Sequence, residues 1–107
     1  MHILTIGFNH HSAPIELRER LTFSESRLKM AVSHLRNMKS ILEGVIVSTC
    51  NRMELYVVCD QLHTGEYYSK AFLESWFNLP REEFQEYLYI KKNEQAVQHL
   101  FSVVAGL

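Results

Sequence analysis

The chain has 107 residues, 47% apolar and 21% charged, with a formal net charge of −1, as expected of one globular domain with a buried core. That balance excludes a self-sufficient nucleic-acid binder, which needs a basic excess to meet phosphates. No apolar run approaches the roughly 20 residues that span a bilayer, and Met1-His2-Ile3-Leu4 enters a strand-like pattern at once, without the basic segment and long apolar run of a signal peptide, so the expected setting is the cytoplasm, without membrane.

Residues 2–9 alternate, Leu4, Ile6 and Phe8 on one face against Ile3, Thr5 and Gly7, which predicts a strand. Asn9-His10-His11-Ser12-Ala13-Pro14 is a loop by composition, and Pro14 opens a short helix over residues 15–20. Ser24 is a good N-cap for a longer helix with Leu28, Ala31, Val32, Leu35 and Met38 on one stripe. Strands are predicted over residues 44–50 and 53–59, joined by a tight turn from Cys50 to Arg52. In the second of them Met53, Leu55, Val57 and Cys59 alternate with Glu54, Tyr56 and Val58. A helix follows at about residues 65–78, with Tyr68, Phe72, Trp76 and Leu79 spaced for a buried face and Pro80 beyond its end. Tyr87-Leu88-Tyr89-Ile90 reads as a last strand. Asn93 then caps a helix with Val97, Leu100, Phe101, Val104 and Leu107 inward.

This order, βαββαβ and a final helix, predicts an α+β fold: a ferredoxin-like antiparallel sheet with helices on one face, plus a C-terminal helix. If the strands alternate in direction, the Asn9–Ser12 loop and the Cys50–Arg52 turn share one edge of the sheet, although about forty residues separate them. One edge then collects the polar chemistry.

The motif Thr49-Cys50-Asn51-Arg52-Met53-Glu54 lies where a strand-forming run stops, which exposes the thiol at the rim. A guanidinium two residues on is suited to lowering a thiol pKa and to holding a carboxylate by two points. Those are the parts of a nucleophile and an anion anchor. Cys59 serves as an internal control: its neighbours Leu55 and Val57 mark it as a small core hydrophobe, whereas Thr, Asn and Arg surround Cys50. The plainer reading of Arg52 is a surface charge paired with Glu54. His99 falls off the apolar arc of the last helix, which by itself points it to solvent. The two cysteines and six histidines show no metal-ligand spacing, and no metal is expected; adjacent His10 and His11 are expected to point apart.

Three stretches together resemble the glutamyl-tRNA reductase family of tetrapyrrole (porphyrin, haem) biosynthesis. They are Gly7-Phe8-Asn9-His10-His11-Ser12-Ala13-Pro14 with Leu17-Arg18-Glu19-Arg20, then Ser48-Thr49-Cys50-Asn51-Arg52-Met53-Glu54-Leu55-Tyr56, and His99 through Leu107. The resemblance covers the whole chain, with Ser12 standing where threonine is commoner. It implies NADPH-dependent reduction of glutamyl-tRNA to glutamate-1-semialdehyde by way of a cysteine thioester. Cys50 is the implied nucleophile. Thr49, Asn51 and Arg52 match substrate-binding positions, Arg52 facing the free γ-carboxylate, and His99 matches a histidine important for activity near the thiol. Further implied are a homodimer and channelling to glutamate-1-semialdehyde aminomutase. The glycines are Gly7, Gly44, Gly65 and Gly106, with no GxGxxG after a strand. Residues 1–107 are therefore expected to be the catalytic, glutamyl-tRNA-binding domain of a longer protein, with the NADPH-binding and dimerisation domains lying downstream. Two other classes fit the residues alone: a ferredoxin-like binding or regulatory module without chemistry, and a generic thiol hydrolase.

Overall fold

The computed structural model describes residues 1–106. Its elements run β1 (His2–Asn9), α1 (Ile15–Arg20), α2 (Leu28–Arg36), β2 (Ile41–Ser48), β3 (Arg52–Cys59), α3 (Leu62–Phe77), β4 (Tyr89–Lys92) and α4 (Glu94–Val104). The four strands form one sheet in the order β2-β3-β1-β4, and every neighbouring pair is antiparallel. Among the described residues no helix is long and apolar enough to cross a membrane.

The period-two pattern of the sequence decides which side of the sheet each helix covers. Leu4, Ile6 and Phe8 of β1 and Met53, Leu55, Val57 and Cys59 of β3 are buried with Leu35 of α2 and Phe72 and Leu73 of α3. Side chains of this size contribute roughly 1.5–3 kcal/mol each when fully buried. Gly65 lets α3 close on β3, since a Cβ there would stand 2.5 Å from the Cys59 sulfur. The opposite side carries Thr5, Gly7, Glu54 and Tyr56, and α4 crosses it, burying Ala96.

Several boundaries differ from the sequence reading for identifiable reasons. The helix expected after Ser24 begins as a 3₁₀ turn over Glu25–Arg27, and the Ser24 side chain makes no cap bond. β2 starts at Ile41 and ends at Ser48, because Thr49 and Cys50 belong to the turn. α3 is longer at its start and ends at Phe77, where Asn78 takes a left-handed conformation (φ 52°) ahead of Pro80. The last strand begins at Tyr89, a 3₁₀ turn occupying Gln85–Tyr87. Asn93 does not cap α4 with its side chain; it pairs instead with Ile3, Oδ1 accepting from the Ile3 amide at 3.1 Å.

The largest correction concerns the inward face of α4. Phe101 and Val104 are 69% and 77% exposed, and Val97 and Leu100 are also exposed, while Leu107 lies outside the described residues. The side facing the sheet runs through Ala96, His99 and Val103. A helical wheel assigns the most apolar arc to the core, but the sheet beneath α4 presents Glu54, Tyr56 and Tyr89, and a polar histidine is their complement.

Gly7 is required by close approach. It faces Glu54 on β3 and Tyr89 on β4, and a Cβ would lie 2.2 Å from the Met53 carbonyl oxygen. That obstacle is backbone and cannot step aside. Gly7→Ala is expected to destabilise the fold by about 1–3 kcal/mol, the usual range for overpacking, read as an earlier urea midpoint; an unchanged midpoint would contradict this register.

Candidate functional site

Antiparallel pairing of β1 with β3 sets Asn9 opposite Arg52, so the loop after β1 and the turn before β3 meet at one sheet edge. Each is built by its own side chains. Asn9 Oδ1 accepts from the amides of His11 (2.9 Å) and Ser12 (3.1 Å), and Ser12 Oγ accepts from the Asn9 amide at 3.0 Å. Thr49 Oγ1 accepts from the amides of Asn51 and Arg52, both at 3.2 Å, and the Thr49 amide donates to the Arg52 carbonyl at 2.8 Å. Short polar side chains hold both loops in the way Asx and Ser/Thr turns do. Cys50 sits in the second loop, exposed and free. Arg18 of α1 donates to its carbonyl oxygen at 3.3 Å, tying the helix to the turn.

Between the loops lies a cleft of about 460 Å³ lined by Asn9, His10, His11, Thr49, Asn51, Arg52, Val103 and Gly106. The two adjacent histidines do not diverge as expected; their ring centroids are 3.9 Å apart. A larger concavity of about 610 Å³, at the other end of the sheet beside Met1 and Asn93, is apolar and holds neither the thiol nor the guanidinium.

Beneath the cleft Glu54 is completely buried, and four donors converge on it. Tyr56 donates to Oε1 at 2.8 Å, Tyr89 to Oε2 at 2.5 Å, and Arg52 Nη1 to Oε2 at 3.4 Å. His99 Nε2 also bonds Oε2. The Arg52–Glu54 pair foreseen as a surface contact is therefore an interior one, with 18% of the Arg52 side chain exposed and none of Glu54. His99 is likewise turned from solvent, its side chain 19% exposed. Burial, followed by the hydrogen bond and charge of Glu54, pushes the Tyr56 and Tyr89 phenols well above the ordinary tyrosine value. At Cys59, burial again comes first and raises the thiol, with the Asp60 charge adding to it.

The edge thus offers an exposed thiol and a half-sheltered guanidinium with donors left over, and behind that guanidinium an imidazole shares its carboxylate. That set suits acyl transfer from an anionic substrate. Residues 6–107 match the family model described as glutamyl-tRNAGlu reductase, N-terminal domain. The chain belongs to the glutamyl-tRNA reductase family. Over all 107 residues it is 58% identical to the glutamyl-tRNA reductase of Halalkalibacterium halodurans and 54% identical to that of Priestia megaterium, spanning 23% and 24% of their lengths. It thus spans about a quarter of the relatives it matches. The solved glutamyl-tRNA reductase of Methanopyrus kandleri shares the fold, with a TM-score of 0.69 and 23% identity over 98% of this chain and 22% of that one.

In this family member the sequence reading places Thr49, Cys50, Asn51 and Arg52 at one edge, as the fold does, but it points His99 to solvent, whereas the fold brings it to Glu54. It assigned no part to Arg18, Tyr89 or Tyr56, and gave Glu54 no more than a surface pairing. An acidic residue between Met53 and Leu55 in a strand of two covered faces was the available signal, since a buried carboxylate needs partners. Because the phenol pKa values are raised on folding, their protonation supports the fold below about pH 10, and that support is lost as pH rises through the folded-state values. Tyr56 and Tyr89 are expected to form tyrosinate only together with loss of the far-ultraviolet dichroism. Replacing both by Phe should delete that late absorbance step; ionisation of both without unfolding would contradict their burial.

Proposed function

We propose that this chain is the catalytic, glutamyl-tRNA-binding domain of a reductase that forms glutamate-1-semialdehyde for tetrapyrrole synthesis. The observation that carries the reading is Cys50, exposed in a turn whose neighbours Thr49, Asn51 and Arg52 line a cleft. The strand order supports the ferredoxin-like split βαβ arrangement, in which both loops share one edge.

The Cys50 sulfur adds to the ester carbonyl carbon of glutamyl-tRNA, and the bond from that carbon to the ribose oxygen breaks. The tRNA leaves and the glutamyl group stays as a thioester. Arg52 donates one N–H to Glu54, and its remaining donors fit the planar two-point contact that a γ-carboxylate offers. A shorter or uncharged side chain would leave that guanidinium unmatched, which is a strong source of selectivity. Thr49 shapes the turn, and Asn51 faces the cleft beside it. His99 orients the ester or hands a proton to the departing oxygen.

The four glycines supply no pyrophosphate cradle for NADPH. Gly7 and Gly44 lie inside strands against Met53 and Leu35, Gly65 is packed on Cys59, and Gly106 lies just past the end of α4 in open space. None forms the strand-to-helix turn that receives a pyrophosphate. We assign the hydride donor and the dimer contacts to the part of the longer protein outside this chain, and the cytoplasm as its compartment. Transfer of the aldehyde to glutamate-1-semialdehyde aminomutase fits the reactivity of that product.

In the full-length protein, Cys50→Ser is expected to abolish semialdehyde formation, because a hydroxyl is a far weaker nucleophile near neutral pH. Cys59→Ala should lower stability alone. Iodoacetamide should label Cys50 in the folded protein and Cys59 only in denaturant. Turnover by the Cys50→Ser protein would sink the assignment.

Arg52→Lys is expected to lower kcat/KM for glutamyl-tRNA by roughly 10- to 100-fold, the worth of a hydrogen bond to a charged group. Arg52→Gln should be worse. Near-normal kcat/KM for Arg52→Gln would place the carboxylate anchor elsewhere.

A further inference from the structure

Glu54 has no opening to the cleft, yet it is the most heavily bonded side chain beneath it. Removing a carboxylate from water is costly unless donors replace the lost hydration. Here two phenols, a guanidinium and an imidazole do so. The two phenols keep their protons, so toward Glu54 they are donors. The result is a negative charge with a fixed position and no freedom to rotate.

We propose that Glu54 is a positioning residue for the acyl-transfer step: it holds His99 by Nε2 and opposes the positive charge that the ring acquires while carrying a proton. The inference rests on the thioester reading above and adds a residue to it. A neutral imidazole that gives its Nε2 proton to a carboxylate keeps a bare lone pair at Nδ1. Among the described residues no hydrogen bond uses His99 Nδ1. As the sulfur–carbon bond forms and the carbon–ribose oxygen bond breaks, the thiol proton passes through the ring to the ribose oxygen. Between those transfers the ring is a cation, and a charge already in place beside it lowers the barrier without reorganisation. Arg52 meets the same oxygen at 3.4 Å through one N–H, at the long limit of a hydrogen bond, and keeps its remaining donors for the substrate, so the service Glu54 gives is to His99.

Glu54→Gln in the full-length reductase keeps the size and an accepting oxygen and removes the charge. It is expected to lower kcat by roughly 10- to 100-fold, within the usual reach of acid–base assistance, and to change KM for glutamyl-tRNA by less than about 3-fold. In a His99→Asn background the same change should cost less than about 3-fold, because the group it serves is gone. Equal losses in both backgrounds, or a wild-type kcat for Glu54→Gln, would overturn the proposal. Proton NMR gives a readout independent of turnover. The wild-type protein should show a far-downfield His99 Nε2 proton, absent from His99→Asn and moved upfield in Glu54→Gln. Should Glu54→Gln not fold, Tyr89→Phe frees Oε2 of one donor and should move the resonance further downfield. No such resonance in the wild type, or no movement in Tyr89→Phe, defeats the pairing. If the wild-type protein makes no semialdehyde from glutamyl-tRNA, the acyl-transfer role falls, while the resonance still decides whether Glu54 holds His99.

Discussion

A carboxylate sealed inside the sheet face is the constraint from which the rest of this domain is arranged. Glu54 sits in the inner strand β3, with its strand neighbours fixed by register. β1 must offer no side chain at Gly7, so that the two backbones can close over it. β4 must place Tyr89 at the far side of Gly7, and β3 itself must place Tyr56 two residues on, on the same face. α4 must bring a donor over the top. Each of those elements comes from a different part of the chain, and the unpaired charge would destabilise the interior if any one failed. The polar cluster thus specifies how α4 lies on the sheet more tightly than apolar contact could.

That constraint explains the unusual division of α4. Helices normally bury their most apolar arc, yet α4 turns Ala96, His99 and Val103 to the sheet and leaves Phe101 and Val104 exposed. A hydrophobic arc gains only what the surface beneath it can match. Over this face, Glu54 and the two phenols match an imidazole, and the small Ala96 lets the helix approach. Asn93 fixes the starting point by pairing its backbone and side chain with Ile3, so the helix begins at one end of β1 and reaches the cleft at the other.

Much of this was legible in the chain itself. Strict alternation in β1 and β3 gave both faces of the sheet, and turn-forming residues located both loops. The α+β class and the common edge of Asn9 and Arg52 follow from the order of elements and their antiparallel pairing. What could not be read was anything that depends on a helix meeting a polar surface from another part of the chain. The inward face of α4, the shelter of His99 and the burial of Glu54 are one fact seen from three residues. Local periodicity carries no information about it, because the deciding partners are up to 45 positions away. Cys59 was different: its setting is decided by its own strand, and its neighbours sufficed.

The two sides of the sheet therefore have separate tasks. The side covered by α2 and α3 is apolar and close-packed, down to a glycine on the Cys59 sulfur, and gives the sheet its rigidity. The side covered by α4 holds the polar groups that face the cleft edge. On the proposed reading, a thiol that attacks one carbon of a large substrate gains little from flexibility in its support. Here Thr49 locks the turn from within, Arg18 ties it to α1, and the register of β1 with β3 sets Asn9 across from Arg52. Cys50 itself is left free, so an exposed thiol stands on a turn held from three directions.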